Sequence, residues 1–424
     1  MRRSATPKLG AYAGLAAVGL LASLVLGLPE LVSLAAPFAV VAAAGLALAE
    51  RPVVDVDVAL ERELTLEQEE VELELGLSAA TAVERLDVLL EIPEGLSLVE
   101  GDNPIGLHLR RGERRPLVLR LRAERWGGYA VGNVVLRAHD RLGLLAYETR
   151  LEHARPLKVY PRPEAVESLL RPLETQVFTG NQVAREKGEG IEFADLRPFF
   201  PGDRIRRINW RASARRGELW VNEFHAERNT DVILFLDSFT EARQEEESTL
   251  DRAVRATAAL AGHYLRHKDR VGLVSFGGVL NWLLPATGLT QVYRITDSLL
   301  DTEIVLNYAW KDIDVIPRRT LPPKAIVIAL TPLLDERAVR ALIDLRARGF
   351  DLAIVEVSPI PFVTPGTDEH ERLAYRLWLM RREALRAQYL RVGVPVASWD
   401  DDVPFSSALE EVRAFRRHAP RTRA

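Results

Sequence analysis

At 424 residues the chain is long enough for two or three domains with cores of their own. An apolar content of 47% beside 27% charged residues excludes global disorder, and a net charge of −4 argues against a predominantly nucleic-acid-binding protein. The chain has no cysteine, which excludes a disulfide framework, Cys-ligated zinc and thiol catalysis.

Leu9 to Leu28 carries no charged residue, and neither does Leu31 to Ala49. Each run is about the length that crosses a bilayer core as a helix. Only Pro29-Glu30 separates them, a connection short enough for a helical hairpin. Arg2, Arg3 and Lys8 precede the first run and Arg51 follows the second, so the positive-inside rule puts both ends in the cytoplasm. Ala47-Leu48-Ala49 before Glu50 is reminiscent of a signal-peptidase site, but a signal's apolar stretch is only roughly 7–15 residues long and is not doubled. Residues 1–50 are therefore read as a two-pass anchor in the lipid bilayer of the cytoplasmic membrane.

From Pro52 the hydrophobic period changes to two. Val54, Val56 and Val58 alternate with Asp55 and Asp57, and similar runs recur around Leu73, Leu107, Leu119, Val134 and Val159. Turn signals at Pro93-Glu-Gly95, Asn103-Pro104, Arg111-Gly112 and Gly127-Gly128 separate them. Short strands at this spacing predict an all-β sandwich of immunoglobulin-like type over residues 51–162. His108, His139 and His153 are isolated, which fits strand-surface residues and gives no catalytic constellation.

Residues 163–230 form the most distinctive stretch, with a helical turn expected over Val166–Arg171. Ile191, Phe193, Leu196 and Phe199 make an apolar series, and Pro201-Gly202-Asp203 is a turn. Arg204, Arg206, Arg207, Arg211, Arg215 and Arg216 then fall in one helical-looking run with Ile208 and Trp210. Three readings are open: a solvated arginine face balanced by neighbouring acids, a nucleic-acid surface, or an arginine–carboxylate network that locks the segment onto a domain. The interleaved acids weigh against nucleic acid. The expectation is that the segment packs on the following domain with Asp203 paired to arginine and Trp210 largely buried, while Arg204 and Arg216 stay free for a partner.

Glu192-Phe193, Leu196-Arg197, Pro201-Gly202-Asp203, Arg207-Ile208-x-Trp210, Ser213-Ala214-Arg215, Glu223-Phe224 and Glu227 resemble the signature of the domain of unknown function 58 family. That resemblance implies a bacterial or archaeal membrane protein with a von Willebrand factor A-like domain and a MoxR-type AAA+ ATPase as partner. It assigns the interaction role to Glu192, Phe193, Leu196, Arg197, Pro201, Gly202, Asp203, Arg207, Trp210, Ser213 and Arg215. Trp126-Gly-Gly-Tyr129, Asp140-x-x-Gly143-Leu144 and Val159-Tyr160-Pro161 look like the same family's β-module, with Arg141-Leu142 where Pro-Phe is usual.

Residues 231–424 alternate strand and helix. Asp231–Asp237 is an apolar run ending in an acid, and a helical period follows from Leu250 to Leu265. Strands are expected at Val271–Phe276, Ala325–Leu330, Leu352–Val357 and Val394–Ala397. Helices are expected at Leu289–Leu300, Glu336–Arg348, Glu369–Leu390 and from Ser406. This predicts a doubly wound α/β sheet, similar to a von Willebrand factor A-like domain. In such sheets ligands gather at the carboxyl ends of the strands, where Asp237 stands. Domains of the resembled type often hold magnesium through an Asp-x-Ser-x-Ser loop, a Thr and a further Asp. Asp237 and Thr290 match two of these places, but Phe239 and Glu241 replace the serines and Thr331-Pro332 the last acid. Weak magnesium binding or none, and no other cofactor, is expected. His263-x-x-x-His267 lacks the Glu of a zincin, the acids Asp400–Asp402 suit a solvated turn, and no P-loop or nucleophile elbow occurs.

The sequence thus points to a non-enzymatic, membrane-anchored scaffold working with an AAA+ ATPase, with no nucleic acid or small-molecule substrate. The alternatives are a metal-dependent hydrolase using Asp237 and a nucleic-acid binder using Arg204–Arg216.

Overall fold

The computed structural model describes residues 2–166, 170, 183–201, 203, 205–227, 231–244, 247–302, 304, 321–323, 325–400 and 402–418, with backbone alone for 183–194, 207, 223–227 and 418. The expected Val166–Arg171 helix lies mostly outside them. The chain divides into two compact units, residues 1–161 and 162–424.

The first unit begins with a short strand, β1 (Arg2–Ala5), and two helices, α1 (Pro7–Leu26) and α2 (Glu30–Ala47). Both helices are long and apolar enough to cross a membrane, and few of their residues are buried inside the protein. Gly27 ends α1 at φ +66°, a left-handed conformation that a side chain would disfavour, which lets the chain reverse at once. Eleven strands follow: β2 (Val54–Leu60), β3 (Leu64–Leu66), β4 (Glu70–Ala79), β5 (Val83–Leu90), β6 (Leu96–Glu100), β7 (Ile105–Leu109), β8 (Arg114–Ala123), β9 (Gly127–Val131), β10 (Val134–His139), β11 (Leu145–Leu151) and β12 (Arg155–Tyr160). They form sheets ordered β2-β4-β8-β6, β1-β11-β10-β5-β7 and β3-β12-β9. The alternation seen in sequence becomes burial: Val54, Val56, Val58, Leu73, Leu75 and Leu77 enter one core with Leu86, Val88, Leu119, Leu121, Val134 and Leu136. The strand β1, which the sequence reading does not anticipate, pairs with β11.

The second unit opens with an antiparallel pair, β13 (Val183–Pro198) and β14 (Trp220–Glu227), enclosing the helix α3 (Trp210–Arg216). After it come β15 (Asp231–Ser238), the two-residue strands β16 (Arg243–Gln244) and β17 (Glu247–Ser248), α4 (Thr249–Arg266), β18 (Arg270–Gly277), β19 (Asn281–Ala286) and α5 (Leu289–Leu300). The chain continues through β20 (Ile326–Thr331), α6 (Glu336–Ala347), β21 (Asp351–Val357), α7 (Glu369–Arg391), β22 (Val396–Trp399) and α8 (Phe405–His418). The main sheet runs β19-β18-β15-β20-β21-β22; all neighbours are parallel except β19, which is antiparallel at the edge. Ile233, Phe235, Val274, Val327, Ala329 and Ile354 pack one sheet face against α6 and Tyr389 of α7. Val232, Leu234 and Leu236 alternate onto the other face and are equally buried, and α4 lies against these strands. Burial on both faces explains why β15, β20 and β21 read as unbroken apolar runs.

Candidate functional site

Two sites emerge, one exposed and one sealed. The exposed one is the knob enclosed by β13 and β14. Pairing of Leu196 with Asn222 and Pro198 with Trp220 brings the two strands together at its base. Arg197 donates to both carboxylate oxygens of Asp203 at 2.6 Å, and the Phe200 amide donates to the same carboxylate at 2.8 Å. Asn209 caps α3 by accepting from the Ala212 amide at 3.0 Å, and its side-chain amide donates to Asn222 at 2.8 Å. The Ser213 hydroxyl donates to the Asn209 carbonyl and accepts from the Trp220 amide, both at 2.8 Å, tying α3 to β14. Ile208 and Val221 are buried where they bridge.

This lattice of local bonds leaves the outer side chains in water. Trp210 is 65% exposed, Ile205 71% and Phe200 61%. The expectation that Trp210 is buried is thus corrected. As the first residue of α3, its side chain leans back past the helix start, while the small Ser213 occupies the face against β14. Arg206, Arg211 and Arg215 are exposed too. Arg216, expected to be free, instead stacks on the Trp220 ring at 3.9 Å. The side chains of Glu192, Phe193 and Arg207, and Gly202 and Arg204 altogether, lie outside the described residues; Leu196, Arg197, Pro201, Asp203, Trp210, Ser213 and Arg215 all fall within the knob.

The sealed site lies at the carboxyl ends of the parallel strands. Register places Asp237 beside Phe276, Thr331 beside Glu356, and Glu356 beside Ser398. Thr331 donates to Asp237 at 2.6 Å, so the four polar residues form one row across β15, β20, β21 and β22. The Phe239 amide donates to the second Asp237 oxygen at 3.1 Å, and the Leu333 amide donates to Thr331 at 2.9 Å. Asp237, Thr331 and Glu356 are each at most 2% exposed. Arg382 and Arg386, one turn apart on α7, both pair with Glu356; Arg382 also donates to the Pro332 carbonyl at 2.8 Å, and Arg386 to Ser398 at 2.9 Å. Burial pushes the Asp237 carboxyl up to about 7, against the opposing hydrogen bonds from Thr331 and Phe239, and burial also lowers the Arg382 guanidinium from its ordinary value.

A carboxyl poised near neutrality could serve as an acid or base. Here both Asp237 oxygens are already occupied inside the core, so the arrangement acts as an internal lock. The pairing of Asp237 with Thr290 as metal ligands is corrected by the sheet itself. Because β19 runs antiparallel, it returns the chain to the amino end of β18, where Ala286 pairs with Val271 and Gln291 donates to the Val271 carbonyl at 2.8 Å. Thr290 is exposed there, about five residues or ~17 Å of strand from the Asp237 end. Among the described residues no group of three His, Asp or Glu side chains converges as metal ligands. Glu356 has a signal in the sequence as well: an acid near the end of an apolar strand, with two arginines spaced four apart on a later helix.

Residues 195–358 match the family model described as protein of unknown function DUF58. The match covers less than half of the chain and likens that stretch to the DUF58 family. The matched stretch contains most of the knob and Asp237, Thr331 and Glu356 of the row, but not α7. The chain is also similar to the uncharacterized protein YeaD of Bacillus subtilis (strain 168), 26% identical over 151 residues that make up 36% of each chain. Among solved structures, the CARDB domain of the Pyrococcus furiosus PF1109 protein shares 14% identity at a TM-score of 0.18, over 26% of this chain and 96% of its own. The Vibrio parahaemolyticus FixG-related protein shares 13% at 0.18, over 25% and 95%. Likenesses this low decide neither fold nor function.

Proposed function

We propose that this chain is a membrane-anchored interaction protein. The α1–α2 hairpin holds it in the cytoplasmic membrane with both ends in the cytoplasm, as the basic residues flanking the hairpin favour. The all-β core, built from sheets that face one another across shared apolar residues, supports an immunoglobulin-like module. The parallel sheet with helices on both faces and a carboxyl-end acid supports a von Willebrand factor A-like domain. The knob of residues 195–222 is the docking surface, and the partner that the family resemblance suggests is a MoxR-type AAA+ ATPase.

The observation that carries this reading is the exposure of Trp210, Ile205 and Phe200 on a segment fixed from within. Trp and Arg dominate the energetics of protein interfaces, and a prefixed loop loses little entropy on docking. Crosslinked capture from native membranes tests it. The expected result is recovery of an AAA+ ATPase by the parent chain and its loss on the double change Arg211→Glu and Arg215→Glu. Recovery of nucleic acid in place of a protein would assign the arginines to phosphate instead, and undiminished ATPase capture by the double variant would remove the knob as the docking surface.

A further inference from the structure

The first unit has a feature that neither the hairpin nor the family explains. The turn between β10 and β11 (residues 140–144) reaches the base of both apolar helices. The Thr6 amide donates to the Leu144 carbonyl at 3.0 Å and its hydroxyl to the Gly143 carbonyl at 2.7 Å. The Lys8 ammonium donates to the Leu142 carbonyl at 2.7 Å. Leu142 and Leu144 pack over Gly45 of α2 so closely that a methyl group at Gly45 would collide with Leu144. The turn's own shape is fixed by the Asp140 carboxylate, which accepts from the Leu145 amide at 2.7 Å, and by Gly143 at φ +68°. On the far side, β1 pairs with β11 and runs into α1 with only Thr6 between them, so this helix is joined directly to the sheet.

Depth follows from arithmetic. At 1.5 Å per residue the 20 residues of α1 measure roughly 30 Å, the thickness of a bilayer's hydrocarbon core. Lys8 then stands at one boundary of that core, and Gly45, three positions from the last residue of its helix counted inclusively, stands at or just inside the same boundary. The turn held on these two residues is at that level too. Leu144 is buried, but Leu142 leaves 39% of its surface uncovered, and the next side chain, Arg141, is 87% exposed with only a 3.6 Å pairing to Glu84. A leucine at the acyl boundary beside an arginine at headgroup height suits the interfacial zone of a bilayer.

We infer that the β10–β11 turn is a third membrane contact, with Leu142 seated in the lipid interface and Arg141 at phosphate level. The β-module would then rest on the membrane surface instead of hanging from it. The inference rests on the hairpin being membrane-inserted, and the test separates the two. Because the chain has no cysteine, single cysteines can be labelled uniquely with a nitroxide. Leu142→Cys, Leu15→Cys in mid-α1 and Asp102→Cys at the opposite end of the β-module are reconstituted as full chains in phosphatidylcholine/phosphatidylglycerol vesicles. Collision with oxygen is compared with collision with a water-soluble nickel chelate. The expected oxygen-to-chelate ratio is highest at 15, intermediate at 142, and several-fold lower at 102. A label at 142 as aqueous as that at 102, with 15 still in hydrocarbon, overturns the third contact and leaves the hairpin standing. Aqueous labels at both 15 and 142 would overturn the contact and the anchor together.

Discussion

Two arginine clusters of similar sequence appearance end in opposite circumstances. Arg382 and Arg386 of α7 turn inward and close on a fully buried carboxylate, whereas Arg206, Arg211 and Arg215 stand in water around an exposed tryptophan. The difference lies in what faces them. Strand β21 presents Glu356, its penultimate residue, to α7, while α3 meets β14 through Ser213, leaving its arginines nothing internal to neutralise. Arginine content therefore says little about role until its partner is located: one cluster closes on a buried acid, the other stands in solvent.

The largest expected effect breaks the lock. Glu356→Ala leaves two guanidinium groups, one of them buried, without their counter-charge, and should cost about 3–5 kcal/mol. Thermal and urea melts of the full chain in detergent measure it; a loss within error of zero would mean the pairing is idle.

Next comes the pH response of Asp237. Its folded-state pKa, about 7, is above the ordinary 3.8, so the folded state binds the extra proton and stability from this group falls as pH rises between those values. Up to about 1.4 kcal/mol per pH unit is at stake. Asp237→Asn should remove that slope, gaining about 1–3 kcal/mol on the parent between pH 5 and pH 8. Parallel melting curves for the two proteins would show that Asp237 is ionised throughout.

A smaller effect is expected on the exposed side. Asp203→Ala removes the paired hydrogen bonds of Arg197 from a partly solvated turn and should cost about 1–2 kcal/mol. It should also weaken partner capture by loosening the knob.

Much of the architecture was legible because burial imposes simple periods. Uncharged runs marked α1 and α2, and unbroken apolar runs marked β15, β20 and β21, which are covered on both faces. The boundaries of α5 and α6 could be read to within a residue. Three features were hidden. Strand β19 is short and holds Pro285, tolerable only because it lies at an edge, and its reversal alone carries Thr290 away from Asp237. The β13–β14 pairing joins residues far apart in sequence across bulges, so no local period announces it. Trp210 looks like core by composition, but which way a side chain at a helix start leans is a matter of geometry.

The central claim is that the knob is built from within and displayed outward, and Trp210→Ala tests it most directly. Melting and crosslinked ATPase capture are measured on the same full-chain preparation. With the ring 65% exposed, stability should stay within about 0.5 kcal/mol of the parent while capture falls sharply. A variant that melts several kcal/mol early would show the tryptophan to be core, and one that keeps both stability and capture would show that the exposed face has no part in docking.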